Sequence, residues 1–220
     1  MNRKRVGIFL LVVLVAVSTG CTSPQEYFYT LSPNAASGTS PRSTGIFTAG
    51  PPSIAVGPVS LPESVDRPQI VVRSGANQVK VTEQRRWASP LDSQIPRVIV
   101  ENLTGMFGNR LISCYEQNIG PRADLQVVVD VLRFDTTLGE AATIESLWTI
   151  RRGRGDAVTG RSVARETIGG DSYDAMVAAH SRALAAISRE IGEAIRAMDT
   201  GSPMKSSLEQ RASVDGRPKP

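Results

Sequence analysis

The chain has 220 residues, of which 40% are hydrophobic and 21% charged, and its formal net charge at pH 7 is +4. The positive excess belongs to the two ends, because residues 22–200 carry 18 basic against 19 acidic side chains. A nucleic-acid-binding domain presents clustered cations on one face, so this near-neutral body gives no support for a nucleic-acid partner. One His and two Cys are too few for a metal site built from those ligands, and we predict no cofactor.

Residues 1–20 have the order of a secretory signal peptide. Basic residues come first (Arg3, Lys4, Arg5), an apolar run follows at residues 6–17, and small residues close the segment at 18–20. A helix that spans a bilayer needs ~20 apolar residues, which this run does not reach. We therefore predict a cleaved signal peptide, with an uncleaved signal anchor as the alternative.

Cys21 follows the small residues directly, and this placement resembles the lipobox of bacterial lipoproteins, with Ser18 where that box usually has Leu. In such proteins the Cys thiol receives palmitate-type acyl chains, the preceding peptide is removed, and the new N-terminus is acylated too. We therefore predict Cys21 as the lipidation site. Each buried methylene contributes ~0.8 kcal/mol, so several chains make membrane attachment effectively permanent.

Residues 21–52 are predicted to form the lipidated N-terminus, a short tether and a flexible loop. The aromatic cluster at residues 27–31 (YFYTL) favours a strand that packs on the domain. A tether of about five residues then spans at most ~18 Å. Residues 35–52 are rich in Ser, Thr, Gly and Pro, which is typical of a flexible loop.

The domain is predicted to cover residues 53–200, and its first half begins with strands at 53–59, 69–73 and 78–81. A helix follows, with Ser89 as cap, Pro90 in the first helical position and helical spacing up to Leu111. Pro96 interrupts that pattern, so the helix either bends there or begins near Ser93. Cys114 has no disulfide partner if Cys21 carries lipid, and we predict a partly buried residue near the helix end.

The second half begins with the strongest strand, residues 125–134, whose apolar residues fall on both faces. This pattern predicts a central strand that is covered on both sides. Residues 143–150 and 162–168 predict a hairpin with a long loop at 151–160. Helical spacing from Ser172 to Met198 predicts a long amphipathic helix, and the tail at 201–220 is predicted to be disordered.

The element order is strands, helix, strand, hairpin and helix. It predicts an α/β fold: a mixed, largely antiparallel sheet with two long helices packed on one face.

Several segments together resemble one family, the ABC-type transport auxiliary lipoproteins typified by the paraquat-inducible protein C group (PqiC-like). The resemblance covers roughly residues 21–198, and its most specific runs are residues 66–71 (DRPQIV) and 86–91 (RWASPL). Pro96 departs from the family's usual helix pattern. The remaining matching parts are the lipobox Cys21, residues 27–31, 54–62 and 124–134, Trp148 and the final helix.

The resemblance implies a non-enzymatic, membrane-anchored component of an envelope lipid transport system that supports membrane integrity. Such systems pair an inner-membrane ABC-type complex with periplasmic proteins that carry MCE domains (named from mammalian cell entry). The lipoprotein is expected to dock the MCE protein at the outer membrane, and family members can form homo-oligomeric rings. Thr22 occupies the position directly after the Cys, at which an Asp would signal retention at the inner membrane. Location at the inner leaflet of the outer membrane is therefore favoured.

Two other functions compete with this one. A structural or assembly-factor lipoprotein of the outer membrane would share the anchor and the domain. An envelope hydrolase of the Ser-His-Asp type would need His180, the only His, as its base. His180 lies beside the apolar stripe of the last helix, which favours a packing role, and no GxSxG, phosphate-loop or HExxH motif occurs. We therefore predict that the protein is not an enzyme.

The candidate surface for a partner or an oligomer consists of Arg67, Arg86 and Trp87. Each residue has a structural alternative. Arg67 belongs to a run in which Pro68 fixes the entry into a strand and Asp66 bonds the local backbone, as in a turn. Trp87 is also typical of core or sheet-edge packing, and Arg86 either stacks on an aromatic ring or stays solvated.

Overall fold

The computed structural model describes residues 24–33, 51–108, 110–116 and 122–201. The predicted signal peptide, Cys21, Thr22, most of the predicted loop, and the predicted tail after Gly201 lie outside these residues.

The described chain forms eight strands and two helices. Their order is β1 Tyr27–Tyr29, β2 Ile54–Ser60, β3 Gln69–Gly75, β4 Gln78–Trp87, α1 Leu91–Phe107, β5 Ile112–Cys114, β6 Leu125–Thr137, β7 Ala141–Arg152, β8 Ala157–Thr167 and α2 Tyr173–Thr200.

The strands form two sheets. The larger sheet has the order β5-β2-β6-β7-β8, and the smaller has the order β1-β4-β3. In the larger sheet β2 runs parallel to β5 and β6, whereas β6, β7 and β8 form long antiparallel pairs. The mixed α/β class predicted from the sequence is confirmed, and the strands divide between two sheets rather than forming one.

The two helices pack against each other on one face of the larger sheet, α1 over β2 and β5, and α2 over β7 and β8. Helix α2 begins where the sequence predicts, since the Ser172 side chain accepts a hydrogen bond from the amide of Ala175 at 3.1 Å. The core between helices and sheet is aliphatic. Its largest fully buried side chains include Ile54, Ile95, Ile99, Leu103, Leu125, Ile144, Ile150, Leu184, Ile187 and Ile191.

Helix α1 begins at Leu91, so Pro96 lies inside it and Pro90 is its N-cap residue. The helix ends at Phe107 rather than continuing to Leu111. The chain after it returns to the sheet, where the Leu111 carbonyl accepts a hydrogen bond from the amide of Ile54 at 2.9 Å. Cys114 therefore lies in strand β5 and not near a helix end. It is half-buried and free.

Strand β6 is central, as predicted, but it is not covered on both faces. Leu125, Val127, Val129 and Val131 are buried, whereas Leu132 is 48% exposed. The register shifts between Val131 and Arg133, and this irregularity brings Phe134 onto the buried face after Val131. Apolar residues on both faces of β6 are therefore explained by a bulge in the strand, and not by a second layer of structure packed on its outer face.

The predicted long loop between the hairpin strands is also wrong, because β7 continues to Arg152 and β8 starts at Ala157. Gly160 pairs with Trp148 across the strands. A Cβ at Gly160 would lie 2.1 Å from the indole ring, so the missing side chain makes room for that ring. The indole N–H donates to the hydroxyl of Ser162 at 2.9 Å. Gly153 and Gly155 thus lie in a short turn, whereas Gly160 is a strand residue whose missing side chain accommodates an aromatic neighbour.

Candidate functional site

The N-terminal segment adds a strand to the smaller sheet. Strand β1 runs parallel to the end of β4, with Tyr27 opposite Arg85 and Phe28 opposite Arg86. The carbonyl of Tyr29 then accepts a hydrogen bond from the amide of Ala88 at 2.7 Å. We call the surface formed by Glu26, Tyr27, Phe28, Arg85 and Arg86 the N-terminal edge.

The chain after β1 is fixed to both helices. The amide of Leu31 donates to Oε1 of Gln94 on α1 at 2.8 Å, and the hydroxyl of Thr30 donates to the same oxygen at 3.1 Å. The amide of Ser32 donates to the hydroxyl of Ser181 on α2 at 3.1 Å. Leu31 itself is buried. The structure thus confirms that residues 27–31 pack on the domain.

Arg85 holds the aromatic side chains of this region together. Its guanidinium lies 5.0 Å from the ring centre of Tyr27 and 4.4 Å from that of Tyr173, and it donates to the Tyr29 hydroxyl at 2.8 Å. Burial raises the pKa of Tyr173, and the nearby Arg85 charge partly opposes that rise. Sequence reasoning missed Arg85. No local signal marked it, because β4 was predicted only as far as Val81 and the Tyr173 ring lies far along the chain.

Of the sequence-predicted residues, Arg86 belongs to the N-terminal edge and Arg67 lies in a neighbouring turn. Arg86 is half-buried and forms an ion pair with Glu26 at 3.3 Å, and it stacks on no ring among the described residues. Arg67 is exposed in a turn that leads into β3. The Pro68 carbonyl of that turn accepts a hydrogen bond from the amide of Trp87 at 2.8 Å, which joins the turn to β4.

Trp87 lies in the core, with 6% of its surface exposed. Its ring meets Phe134 edge to face, with ring centres 6.0 Å apart, and Phe134 in turn stacks on His180 with a separation of 4.0 Å. A buried ring has little surface to offer a partner. Arg67 and Arg86 are therefore the two predicted surface residues that solvent can reach.

The exposed aromatic rings are the apolar component of the N-terminal edge. Phe28 is 61% exposed and Tyr27 43% exposed, on a strand that begins six residues after Cys21. Aromatic side chains of this kind, flanked by arginines, suit the boundary between an apolar and an aqueous phase. The edge can therefore contact lipid headgroups or an apolar patch on a protein.

His180 cannot act as the base of a hydrolase in this arrangement. It is fully buried, its Nε2 lies 2.5 Å from the Thr136 hydroxyl, and burial lowers its pKa to about 3. No substrate can reach the ring, so its environment is that of a packing residue. Within the ranges that the structure describes, no group of three or more His, Cys, Asp or Glu side chains could hold a metal ion.

Comparison with known proteins gives a family match over most of the chain. A family model described as "ABC-type transport auxiliary lipoprotein component" matches residues 29–192. Among curated proteins none matches the chain significantly. In the part of the chain that the structure describes, no helix has both the length and the apolar character to cross a membrane.

Two solved structures are similar in fold. A crystal structure of an uncharacterized protein has a TM-score of 0.64 and 21% sequence identity, and the alignment covers 78% of this chain and 99% of that one. The protein XCC0632 from Xanthomonas campestris has a TM-score of 0.55 and 20% identity, covering 76% of this chain and 92% of that one. At these identities the likeness shows the fold alone.

Proposed function

The chain belongs to the family of ABC-type transport auxiliary lipoprotein components, and from this membership we propose that it serves an MCE/ABC-type envelope lipid transport system. In this proposal it docks the periplasmic MCE protein at the outer membrane. It carries out no catalytic step and needs no ATP site or cofactor. Lipid passes between the MCE assembly and the bilayer while this domain keeps the assembly at a fixed distance from the bilayer.

The observation that carries the proposal is the packing of the N-terminal segment. Residues 27–32 are bound to β4, α1 and α2, so only residues 22–26 separate Cys21 from the domain. Fully extended, this tether spans about 18 Å. With Cys21 acylated, the domain is held close to the bilayer, and Thr22 favours the inner leaflet of the outer membrane. The exposed Tyr27 and Phe28 then lie nearest to the anchor.

The partner surface in this proposal includes Arg67 and Arg86, and several copies form a homo-oligomeric ring around the end of the MCE assembly. Arg67 is exposed and, among the described residues, its side chain has no ion pair. Because Arg67 has no such ion pair to break, little free energy is lost when it approaches an acidic partner surface. Its positive charge also favours rapid, salt-dependent association.

Capture of the MCE protein by the full-length lipidated chain in neutral detergent tests this function. We expect binding by the wild type, and Arg67→Glu should weaken it at least tenfold. Arg154→Glu is the matched control, because Arg154 is exposed on the turn between β7 and β8. Failure of the wild type to bind at any salt concentration would refute the proposal. Capture of an outer-membrane assembly factor instead would favour the structural alternative.

Mass spectrometry of the mature N-terminus tests the anchor separately. We expect a chain that begins at an acylated Cys21. A mature protein that still begins at Met1, or an unmodified Cys21, would contradict lipidation at this residue.

A further inference from the structure

A groove of about 270 Å³ lies where β3 meets β6, β7 and β8. We call it the arginine groove, and the residues used below are Arg73, Arg133, Asp135, Thr137, Thr143 and Arg165. It is remote from the N-terminal edge, because Arg73 pairs with Val79 near the start of β4 whereas β1 pairs with the end of β4.

The register of the larger sheet brings these side chains together. Asp135, Thr143 and Arg165 are neighbours across β6, β7 and β8. The next residues along these strands, Phe134, Ile144 and Ala164, are buried in the core. Successive side chains of a strand point to opposite faces, so the groove lies on the face away from the helices.

Arg73 enters the groove from the smaller sheet and is held in place by two contacts. One nitrogen of its guanidinium donates to the Ala76 carbonyl at 2.9 Å, and another donates to Oδ2 of Asp135 at 2.9 Å. The Nε of Arg133 lies 3.6 Å from the same carboxylate oxygen. Asp135 therefore orients two arginines but balances the charge of only one.

Arg165 has no hydrogen bond or ion pair within the described part of the chain. The groove thus holds three guanidinium groups and one carboxylate. Glu145, which lies opposite Arg133 on this face, is paired with Arg161. A net charge of about +2 remains in a concave site, and like charges so close together repel unless an anion lies between them.

The groove also offers neutral donors. Thr143 is 9% exposed, and its hydroxyl makes no hydrogen bond with any described residue. Thr137 lines the same space. Together with the guanidinium of Arg165, which carries five N–H donors, the site presents many donors and few acceptors.

A second group of arginines differs from the groove, because each of its side chains has a partner within the protein. Arg110 and Arg152 both bond Asp199, at 2.8 and 3.0 Å. Arg196 donates to the Met106 carbonyl at 3.2 Å and lies 5.0 Å from the ring centre of Phe107. Each of these arginines has a partner that explains its position. Arg165 has none, which sets the arginine groove apart.

We propose that the arginine groove binds a phosphate-class oxyanion, either the headgroup of an anionic phospholipid or free phosphate. Guanidinium groups bind phosphate oxygens through paired, charge-assisted hydrogen bonds, and three of them converge here. A tetrahedral anion with one or two negative charges matches the excess charge, and its oxygens accept from Arg165 and Thr143. The site lies away from the N-terminal edge, so it does not depend on the proposed docking function.

The test uses the full-length lipidated protein in neutral maltoside micelles, followed by titration with three probes. These are inorganic phosphate, dihexanoyl phosphatidylglycerol and dihexanoylglycerol, which lacks the phosphate. Arg165→Ala is the test variant, since Arg165 is exposed and unpartnered and its truncation should leave the fold intact. Arg154→Ala is the control, because it removes one exposed positive charge outside the groove. Circular dichroism verifies that both variants are folded.

We expect phosphate or the phospholipid to bind the wild type and the Arg154→Ala variant equally, and Arg165→Ala to weaken that binding at least tenfold. Tighter binding of the phospholipid than of phosphate identifies a headgroup site, whereas binding of phosphate alone identifies a free-anion site. The proposal is overturned if neither anion binds, if dihexanoylglycerol binds equally well, or if both variants weaken binding to the same degree.

Discussion

The backbone amide of Leu31 donates a 2.8 Å hydrogen bond to the side-chain oxygen of Gln94, and both residues are buried. Gln94 is also bonded to Thr30 and donates through its Nε2 to the Ser89 carbonyl. One amide side chain on α1 therefore fixes the point at which the N-terminal segment joins the domain. In the proposed function, this contact limits the length of the tether.

Replacing Gln94 with Ala should loosen this junction. The change leaves the Leu31 amide buried without an acceptor, which costs about 1–3 kcal/mol. We expect the free energy of unfolding in urea to fall by that amount and proteolysis between residues 24 and 33 to accelerate. Gln84→Ala is the control, since Gln84 is exposed on β4. Equal behaviour of the two variants would show that Gln94 does not hold the segment.

His180 should make the protein less stable in acid. Burial lowers its pKa from 6.5 to about 3, so between these values the unfolded chain binds a proton that the folded chain does not. Stability is therefore complete above pH 6.5 and declines as the pH falls below it. From pH 7.5 to pH 5 the loss should be about 2 kcal/mol.

Urea denaturation at the two pH values measures this loss. His180 is the only His in the chain, so no other imidazole contributes to the difference. The His180→Gln variant keeps an amide that can bond Thr136 but has no group that titrates in this range. Its stability should change little between the two pH values. A wild type with no loss, or a variant with an equal loss, would contradict the assignment.

Gly160→Ala should destabilise the hairpin of β7 and β8. The new methyl group would lie 2.1 Å from the Trp148 ring, which must move out of a well-packed position. Overpacking of this kind costs about 1–3 kcal/mol, and we expect a lower midpoint in urea with a shift in tryptophan fluorescence. In the Gly155→Ala control the nearest atom would be 3.7 Å away, so its stability should be nearly unchanged.

Lengthening the tether should abolish function without releasing the protein from the membrane. Ten Gly/Ser residues inserted between Pro24 and Gln25 behave as a flexible coil and add about 17 Å of mean reach. We expect normal membrane fractionation and normal folding, but no rescue of envelope integrity in a strain that lacks the protein. The same insertion at Gly153, in the exposed turn between β7 and β8, should rescue fully. Rescue by both insertions would argue against a fixed height above the bilayer.

Local patterns in the sequence account for much of the fold. The spacing of apolar residues predicted α2 to within two residues at each end, and β-branched runs located β2, β3 and β6. Strand β5 was missed, because its three residues form a strand only by pairing with β2. The extension of β4 through residues 82–87 was missed too, since its polar residues lie on a sheet whose outer side faces solvent.

The sequence alone could not predict the N-terminal edge or the arginine groove, because both depend on contacts between residues that are far apart in the chain. Arg85 and Tyr173 are far apart in the chain, and only the fold brings the guanidinium onto that ring. The arginine groove depends on a register in which Asp135, Thr143 and Arg165 align, and on a separate sheet that supplies Arg73. A shift of one residue in any of these three strands would turn that strand's groove residue toward the core.

The hydrogen bond from Ser32 to Ser181 joins residues 149 positions apart, and Ser181 lies on the last helix of the described chain. This contact closes a loop of that length, and it requires α2 to be in place on the domain. In the proposed function, the last attachment of the N-terminal segment is therefore made late in folding. A copy in which α2 is not yet packed would then hold its partner less closely than the folded protein.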